Sequence, residues 1–176
     1  MATIEIPDPS LVVLIGAAGA GKTTFAARHF EADRVLSSDA FRAILSGDEA
    51  DQSLTRAAFA MLHRELDRRL ASGLLTVVDA TSVQIHARRA LTARAQRHAV
   101  PAIAIVLDLP DEVVHDRNRT RPGRSVDAAV VSAQIAALRA ALLAGPVPGE
   151  GFALVIVLRT PDEVEGVRLR PVTARR

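Results

Sequence analysis

A chain of 176 residues, 49% of them hydrophobic, is long enough for one domain with a sizeable apolar core. Cysteine is absent, which excludes a disulfide framework and a thiolate metal site and leads us to expect a cytoplasmic protein. The net charge is only +2, so bulk charge gives weak support for nucleic-acid binding, and no apolar run is long enough to cross a bilayer.

The first predicted strand, Leu11–Ile15, leads into a glycine-rich loop and then an amphipathic helix over Lys22–Phe30. The loop and the start of the helix fit the pattern G-x-x-x-x-G-K-[ST] in the strand–loop–helix context that gives the pattern its meaning. Backbone amides of such a loop bind polyphosphate, the lysine (here the only one in the chain) bridges the terminal phosphates, and the hydroxyl binds Mg²⁺. We therefore predict a site for ATP or another NTP with Mg²⁺, formed by Gly16, Ala17, Ala18, Gly19, Ala20, Gly21, Lys22, Thr23 and Thr24.

Short apolar strands and amphipathic helices alternate along the rest of the chain. Further strands are predicted at residues 34–37, 74–78, 102–107 and 152–158, and helices at 38–42, 54–70, 84–98, 110–118, 126–143 and from 160. This alternation predicts a single α/β domain over residues 1–176, with the three-layer fold of P-loop NTPases and kinases: about five parallel strands with helices on both faces. Residues 1–9 are expected to be a lead-in that Pro7 and Pro9 keep from regular pairing, and residues after about 168 a loose tail.

The helix predicted over Val126–Leu143 is apolar nearly all round. Such a helix needs more cover than one sheet face provides, which favours a subunit or domain interface. The alternative is that the rest of the chain covers it.

Two acidic residues follow predicted strands, at the sheet edge where open α/β sheets bind ligands. Asp39 follows the second strand, and Arg42 lies three residues later on the same helical face. A kinase acting on a hydroxyl needs a carboxylate to orient that hydroxyl and take its proton, although a surface ion pair would have the same spacing. Asp79 ends the strand after Thr76-Val-Val, where an acid can hold Mg²⁺ through water, or can simply cap a turn.

An arginine-rich segment over about 117–126 is broken by Pro122-Gly123. Arg117 and Arg121 share a face if the preceding helix extends that far, and Arg119 then points away. Arginines on a lid neutralise the charge that spreads over the transferring phosphoryl group and exclude water. The alternative is a solvated face. We predict a lid that carries Arg117, Arg121 and Arg124 over the NTP.

Taken together, the P-loop, Ser37-Ser-Asp-x-x-Arg42, Thr76-Val-Val-Asp-Ala-Thr81 and Arg117-Asn-x-x-Arg121-x-x-Arg124 resemble the N-terminal kinase domain of bacterial polynucleotide kinase-phosphatase, an RNA end-healing enzyme. The likeness runs from about residue 6 to 165. It departs from the family where Ala17, Ala18 and Ala20 replace serines and where Ser82 replaces an asparagine.

The resemblance implies a polynucleotide 5′-hydroxyl kinase that transfers the γ-phosphoryl of an NTP to a single-stranded or nicked 5′-OH end. It assigns Asp39 as general base and possible metal neighbour, and Arg42 to the acceptor or the phosphate. It also implies a homodimer. The phosphatase and adenylyltransferase domains of the full family protein lie outside this chain, so we do not expect their activities.

Two other functions remain open on the residues alone. In a small-molecule P-loop kinase, Asp39 and Arg42 would orient a sugar or antibiotic hydroxyl. A non-catalytic nucleotide switch would bind NTP without transferring phosphate.

Overall fold

The structure is a computed structural model that describes residues 3–46, 55–122, 125–143 and 148–173. Its strands are β1 (Thr3–Asp8), β2 (Leu11–Ile15), β3 (Val35–Ser37), β4 (Thr76–Asp79), β5 (Ala102–Leu107), β6 (Leu154–Leu158) and β7 (Arg168–Thr173). Its α-helices are α1 (Lys22–His29), α2 (Ser38–Ser46), α3 (Thr55–Ala71), α4 (Ile85–Arg97), α5 (Asp111–Thr120), α6 (Ala128–Leu143) and α7 (Pro161–Gly166), and short 3₁₀ turns span Ala32–Arg34 and Pro148–Glu150.

Five strands form the central sheet in the order β3-β4-β2-β5-β6, and every neighbouring pair is parallel. The predicted α/β fold with a five-stranded parallel sheet is confirmed. Strand β2 lies in the middle and is buried along its whole length, because helices cover both faces of the sheet. The P-loop therefore follows the central, fully buried strand of the sheet.

The core consists of two apolar layers, one on each face of the sheet. Alternate residues of β2 divide between them: Val12 and Leu14 belong to the layer that includes residues of α1, α5 and α7, and Val13 belongs to the layer that includes residues of α3 and α4. This division follows from the two-residue period of a strand. It places α1 and α3 on opposite faces, so the ligand edge of the sheet is bordered by helices from both layers.

The two ends of the chain differ from the prediction. The expected lead-in forms β1, and the expected loose tail forms β7 through Thr173; the two pair in parallel as a separate ribbon. A two-stranded ribbon has a free outer edge on each strand, where a proline without an N–H can be accommodated, so Pro7 and Pro171 do not prevent pairing. The ribbon is anchored because Ile6 is fully buried in the core.

Helix α6 is only partly covered. Val131, Ile135 and Leu138 are buried, whereas 47% of Val130 and 88% of Leu143 are exposed. An apolar outer face thus remains on α6, and the homodimer expected from the resemblance stays a prediction. Within the described residues, no helix combines the length and apolarity needed to span a membrane.

Candidate active site

The P-loop has the conformation that its glycines permit. Gly19 and Gly21 have φ values of +88° and +93°, in the left-handed region that side chains rarely adopt. A Cβ atom on Gly19 would also lie 2.4 Å from the carbonyl oxygen of Val114, so α5 packs directly against the loop. Gly21 is the N-cap of α1, and the first residues of that helix line the cleft, so its N-terminus lies at the site.

The side chain of Lys22 lies along its own loop. Its Nζ donates hydrogen bonds of 2.9 Å to the carbonyl oxygens of Gly16 and Ala17. From α6, Gln134 Oε1 accepts a 2.8 Å hydrogen bond from the amide of Ala18. The ammonium group is thus held at the loop, where a polyphosphate would meet a compact positive charge.

The predicted loop residues divide into two sets. Ala18, Gly19, Gly21, Lys22, Thr23 and Thr24 line the main cleft of the molecule. Gly16, Ala17 and Ala20 do not line it: the Gly16 amide is bonded to the Thr81 carbonyl, and Ala17 and Ala20 are buried. These three residues support the conformation of the loop without lining the cleft.

Thr23 and Asp79 meet at the end of β4. The Thr23 hydroxyl donates a 2.7 Å hydrogen bond to Asp79 Oδ2, and the Asp79 residue is 5% exposed. Hydroxyl and carboxylate oxygens are ligands that Mg²⁺ accepts, and a P-loop site completes its shell with phosphate oxygens and water. The pair therefore fits the predicted Mg²⁺ site. Among the described residues, no group of three or more His, Asp and Glu forms a metal cage of its own.

The predicted acceptor pair lies in the same cleft. Asp39 is in the first turn of α2, where the Ser37 hydroxyl accepts a 3.4 Å bond from the Ala40 amide. Arg42 Nη2 donates to one Asp39 oxygen, and Arg121 Nη2 lies 3.9 Å from the other. Arg42 is buried, so this is not a solvated surface pair. Two guanidinium groups already balance the carboxylate, an arrangement that favours contact with an acceptor over direct metal ligation.

The arginine-rich segment lies partly in α5 and partly after the end of that helix. The helix extends to Thr120, and Arg117 and Arg121 both line the cleft. Arg119 instead pairs with Asp116 at the surface, where 74% of its side chain is exposed. The expected opposite orientation of Arg119 is therefore confirmed, whereas Arg124 falls outside the described residues.

Asn118 bonds to Val126 across the segment predicted to form a lid. Its Nδ2 donates a 2.7 Å bond to the Val126 carbonyl, and its Oδ1 accepts a 3.1 Å bond from the Val126 amide. The side chain is buried and packs where Gly19 approaches α5. A side-chain amide that satisfies both backbone groups of one residue fixes the separation of residues 118 and 126, and it links them to the P-loop.

The cleft extends from the P-loop to helices α3 and α4 and has a volume of about 1380 Å³. At its far end it is lined by Phe59 and His63 of α3 and by Ala87, Ala90 and Leu91 of α4. Burial lowers the pKa of His63 below its usual value of 6.5, and Arg94 lowers it further. The ring is therefore neutral at pH 7.

A buried ion pair supports the segment that follows Asp79. Arg88 donates to both carboxylate oxygens of Glu150, at 2.5 and 2.7 Å, and its Nη1 donates to the carbonyls of Ser82 and Val83 at 3.2 and 2.6 Å. The side chains are 1% and 0% exposed. Ser82 and Val83 line the cleft, so this pair positions one of its walls.

Sequence reasoning missed Asn118, Gln134 and the Arg88–Glu150 pair. Asn118 and Gln134 bond to backbone groups 8 and 116 residues away, and Arg88 and Glu150 are 62 residues apart, so none has a local spacing signal. Two signals were available: Gln134 is one of the few polar residues in a mostly apolar helix, and Asn118 lies in the Arg117-Asn-x-x-Arg121 motif.

Comparison with known proteins identifies the family of this chain. The AAA domain family model matches residues 11–144, which is more than half of the chain. The chain belongs to the AAA domain family. This AAA domain is P-loop kinase-like, and such a fold implies binding of a nucleoside triphosphate. None of the curated proteins compared with it matches.

Solved structures with this fold include an RNA repair complex and small-molecule kinases. A chain of the Pnkp1/Rnl/Hen1 RNA repair complex is similar over 79% of this chain and 47% of its own length, with a TM-score of 0.66 and 20% identity. A sugar kinase from Janibacter sp. HTCC2649 is similar over 86% and 85%, with a TM-score of 0.59 and 24% identity. A gluconokinase from Sinorhizobium meliloti 1021 is similar over 92% and 88%, with a TM-score of 0.56 and 16% identity. Identities this low show the shared fold alone.

Proposed function

We propose that this AAA domain is a polynucleotide 5′-hydroxyl kinase, which transfers the γ-phosphoryl group of ATP or another NTP to a 5′-OH end. The observation that carries the proposal is the position of Asp39. Its carboxylate lies in the P-loop cleft between Arg42, on the acceptor side, and Arg121, on the lid. A carboxylate so placed is suited to receive a proton from a hydroxyl that attacks a bound γ-phosphate.

In the proposed reaction, Asp39 accepts the proton of the 5′-OH as its oxygen bonds to the γ-phosphorus. The bond from that phosphorus to the β–γ bridging oxygen breaks, and NDP leaves with the electron pair. Lys22, Arg117 and Arg121 balance the charge on the phosphoryl oxygens. Bound Mg²⁺, held at Thr23 and Asp79, would neutralise the β- and γ-phosphates.

Support for a polynucleotide acceptor comes from the motif set. The Ser-Ser-Asp-x-x-Arg element and the lid arginines occur together in the family that the sequence resembles. The cleft of about 1380 Å³ is larger than the roughly 300–1,000 Å³ of one small-molecule site, so it has room for an acceptor beside the NTP. A chain of an RNA repair complex also shares the fold.

A second candidate is a small-molecule kinase. It is favoured by the extent of the structural likeness: the sugar kinase and the gluconokinase share the fold over 86% and 92% of this chain, and the RNA repair chain over 79%. In this alternative, the same Asp39 and P-loop act on a sugar hydroxyl.

Transfer of label from [γ-³²P]ATP with Mg²⁺ separates the two candidates. Matched oligonucleotides with a 5′-OH or a 5′-phosphate are offered in parallel with gluconate and a panel of sugars. The proposal expects label on the 5′-OH strand only. Label on a sugar or sugar acid, with none on either strand, would replace it with the second candidate.

The Asp39→Asn variant tests the assigned base. We expect kcat to fall about 10²–10⁴-fold while the affinity for ATP stays near wild type, because a general base acts after binding. Asp116→Asn is the matched control, since Asp116 also pairs with an arginine three residues later but lies at the surface. An Asp39→Asn variant with wild-type kcat would remove Asp39 from the mechanism.

A further inference from the structure

The far end of the cleft differs in character from its phosphate end. Phe59 and His63, from one face of α3, and Ala87, Ala90 and Leu91, from α4, supply its lining. We call this region the α3–α4 slot. It belongs to the same cleft as Asp39 and Arg42, and we infer that it holds the acceptor beyond its reacting hydroxyl.

Within the described part of the chain, the lining of the slot carries no charged side chain of its own. Among the described residues that α2, α3 and α4 contribute to the cleft, the only lysine or arginine is Arg42, whose guanidinium is bonded to Asp39. The pKa of His63 is lowered, so this ring adds no charge at pH 7. An anionic group, such as the carboxylate of a sugar acid, meets no cation among the described residues that line the slot; Arg94, which lowers the pKa of His63, lies outside that lining. The slot therefore favours a neutral acceptor group.

The aromatic side chains of the slot favour an acceptor group that is flat. The rings of Phe59 and His63 form a tilted pair with centroids 6.1 Å apart and an angle of 58°. This geometry lies in the favourable range for aromatic pairs and holds both rings in a defined orientation beside the cleft. A flat, neutral ring gains most from such a surface, with the alanine side chains of α4 allowing close approach.

The edge of such a ring would meet polar groups. Gln84, His86 and Thr55 line the same cleft, and Thr55 is the first residue of α3. Amide, imidazole and hydroxyl groups can bond to the donors and acceptors on the edge of a nucleobase. Apolar faces with polar rims are the usual arrangement for base stacking in proteins that bind single strands.

We propose that the α3–α4 slot binds the terminal nucleobase of the 5′-OH strand, stacked on Phe59. This inference rests on the proposed function and deepens it. Stacking accepts every base, because each has a π face, so the slot recognises a nucleotide end without selecting its sequence. The acceptor is held mainly through its first base.

Abasic acceptors test the slot in the intact protein. Three 5′-OH oligonucleotides are compared: the parent, one with an abasic first nucleotide, and one with an abasic third nucleotide. We expect the acceptor KM to rise about tenfold or more for the first substitution, in line with the loss of one base stack, and to change little for the second.

Variants at Phe59 connect this effect to the protein. Phe59→Leu should raise the KM of the parent strand about fivefold or more, leave kcat near wild type and cancel most of the difference caused by the abasic first nucleotide. Phe59→Trp should retain the wild-type KM. Phe41→Leu is the matched control, because Phe41 is also a partly buried ring packed on the same core layer but lies outside the cleft.

The outcomes separate this inference from the proposed function. Equal KM values for the parent and the first-position abasic strand, with both labelled, would overturn the slot and leave the kinase standing. An abasic effect that persists unchanged in Phe59→Leu would place the base elsewhere and also overturn it. If no 5′-OH strand is labelled, the proposed function fails and the inference fails with it.

Discussion

Replacing Glu150 by glutamine would leave Arg88 charged at the centre of the protein. The two side chains are 1% and 0% exposed, and their guanidinium and carboxylate are joined by two bonds of 2.5 and 2.7 Å. Glutamine keeps the shape and can accept one of these bonds. It cannot balance the charge, and its own NH₂ group faces a guanidinium that only donates.

The expected loss is about 3–5 kcal/mol, the usual result of removing one partner from a buried pair. The remaining bonds of Arg88 to the Ser82 and Val83 carbonyls satisfy one nitrogen but supply no counter-charge. With a urea m-value of about 2 kcal/mol/M, this loss lowers the unfolding midpoint by about 1.5–2.5 M. That is a large share of a typical domain's stability.

Urea unfolding at pH 7, followed by circular dichroism, measures this shift. Glu65→Gln is the matched control: Glu65 also bonds to two arginines, but at the helix surface, where such pairs contribute about 0.2–1 kcal/mol. The double change Arg88→Met with Glu150→Leu should recover most of the loss, because it removes both charges together. A Glu150→Gln midpoint within about 0.3 M of wild type, at an unchanged m-value, would refute the assignment of this pair as a buried charge balance.

Two further predictions concern the lid and pH. Asn118→Ala should lower kcat about tenfold or more with little change in ATP affinity, because both bonds to Val126 are lost and the ends of the proposed lid separate. Single-turnover phosphoryl transfer measures this change. An unchanged rate would contradict the role of Asn118. Burial lowers the pKa values of His29 and His63 below 6.5 in the folded protein. As the pH falls below about 6.5, the two histidines therefore bind protons more readily in the unfolded chain than in the folded one, and the stability of the fold should decrease. Unfolding of the double variant His29→Gln, His63→Gln should vary less with pH from 7 to 5; an equally steep dependence would assign it to other groups.

The sequence predicted those parts of the site that depend on local order. Lys22 and Thr23 follow a buried strand and a glycine loop, and Asp39 and Asp79 follow neighbouring strands. Because parallel strands end at one edge of the sheet, their side chains converge without any knowledge of packing. Thr23 and Asp79 are 56 residues apart, and this rule explains why both lie at the same sheet edge, where the structure joins them by a hydrogen bond.

Contacts that depend on tertiary packing were not predictable in this way. The bond from Gln134 to the Ala18 amide requires the position of α6 relative to the P-loop, and the pairing of β1 with β7 joins opposite ends of the chain. Pro7 suggested an irregular segment because proline penalises a strand on average. The burial of Ile6 outweighs that penalty, and it can be known only from the fold.

The position of Asp39 between Arg42 and Arg121 affects the hydrolysis of ATP by water as well as phosphoryl transfer to the acceptor. A kinase that holds ATP beside a general base can hydrolyse it when water reaches the γ-phosphate. Here both oxygens of the Asp39 carboxylate face guanidinium groups, so a water molecule must displace one of these contacts before Asp39 can accept its proton. An acceptor anchored elsewhere in the cleft delivers its hydroxyl at high local concentration and displaces such a contact more readily. In the proposed reaction, the same arginines that assist phosphoryl transfer thus also limit ATP hydrolysis while no acceptor is bound.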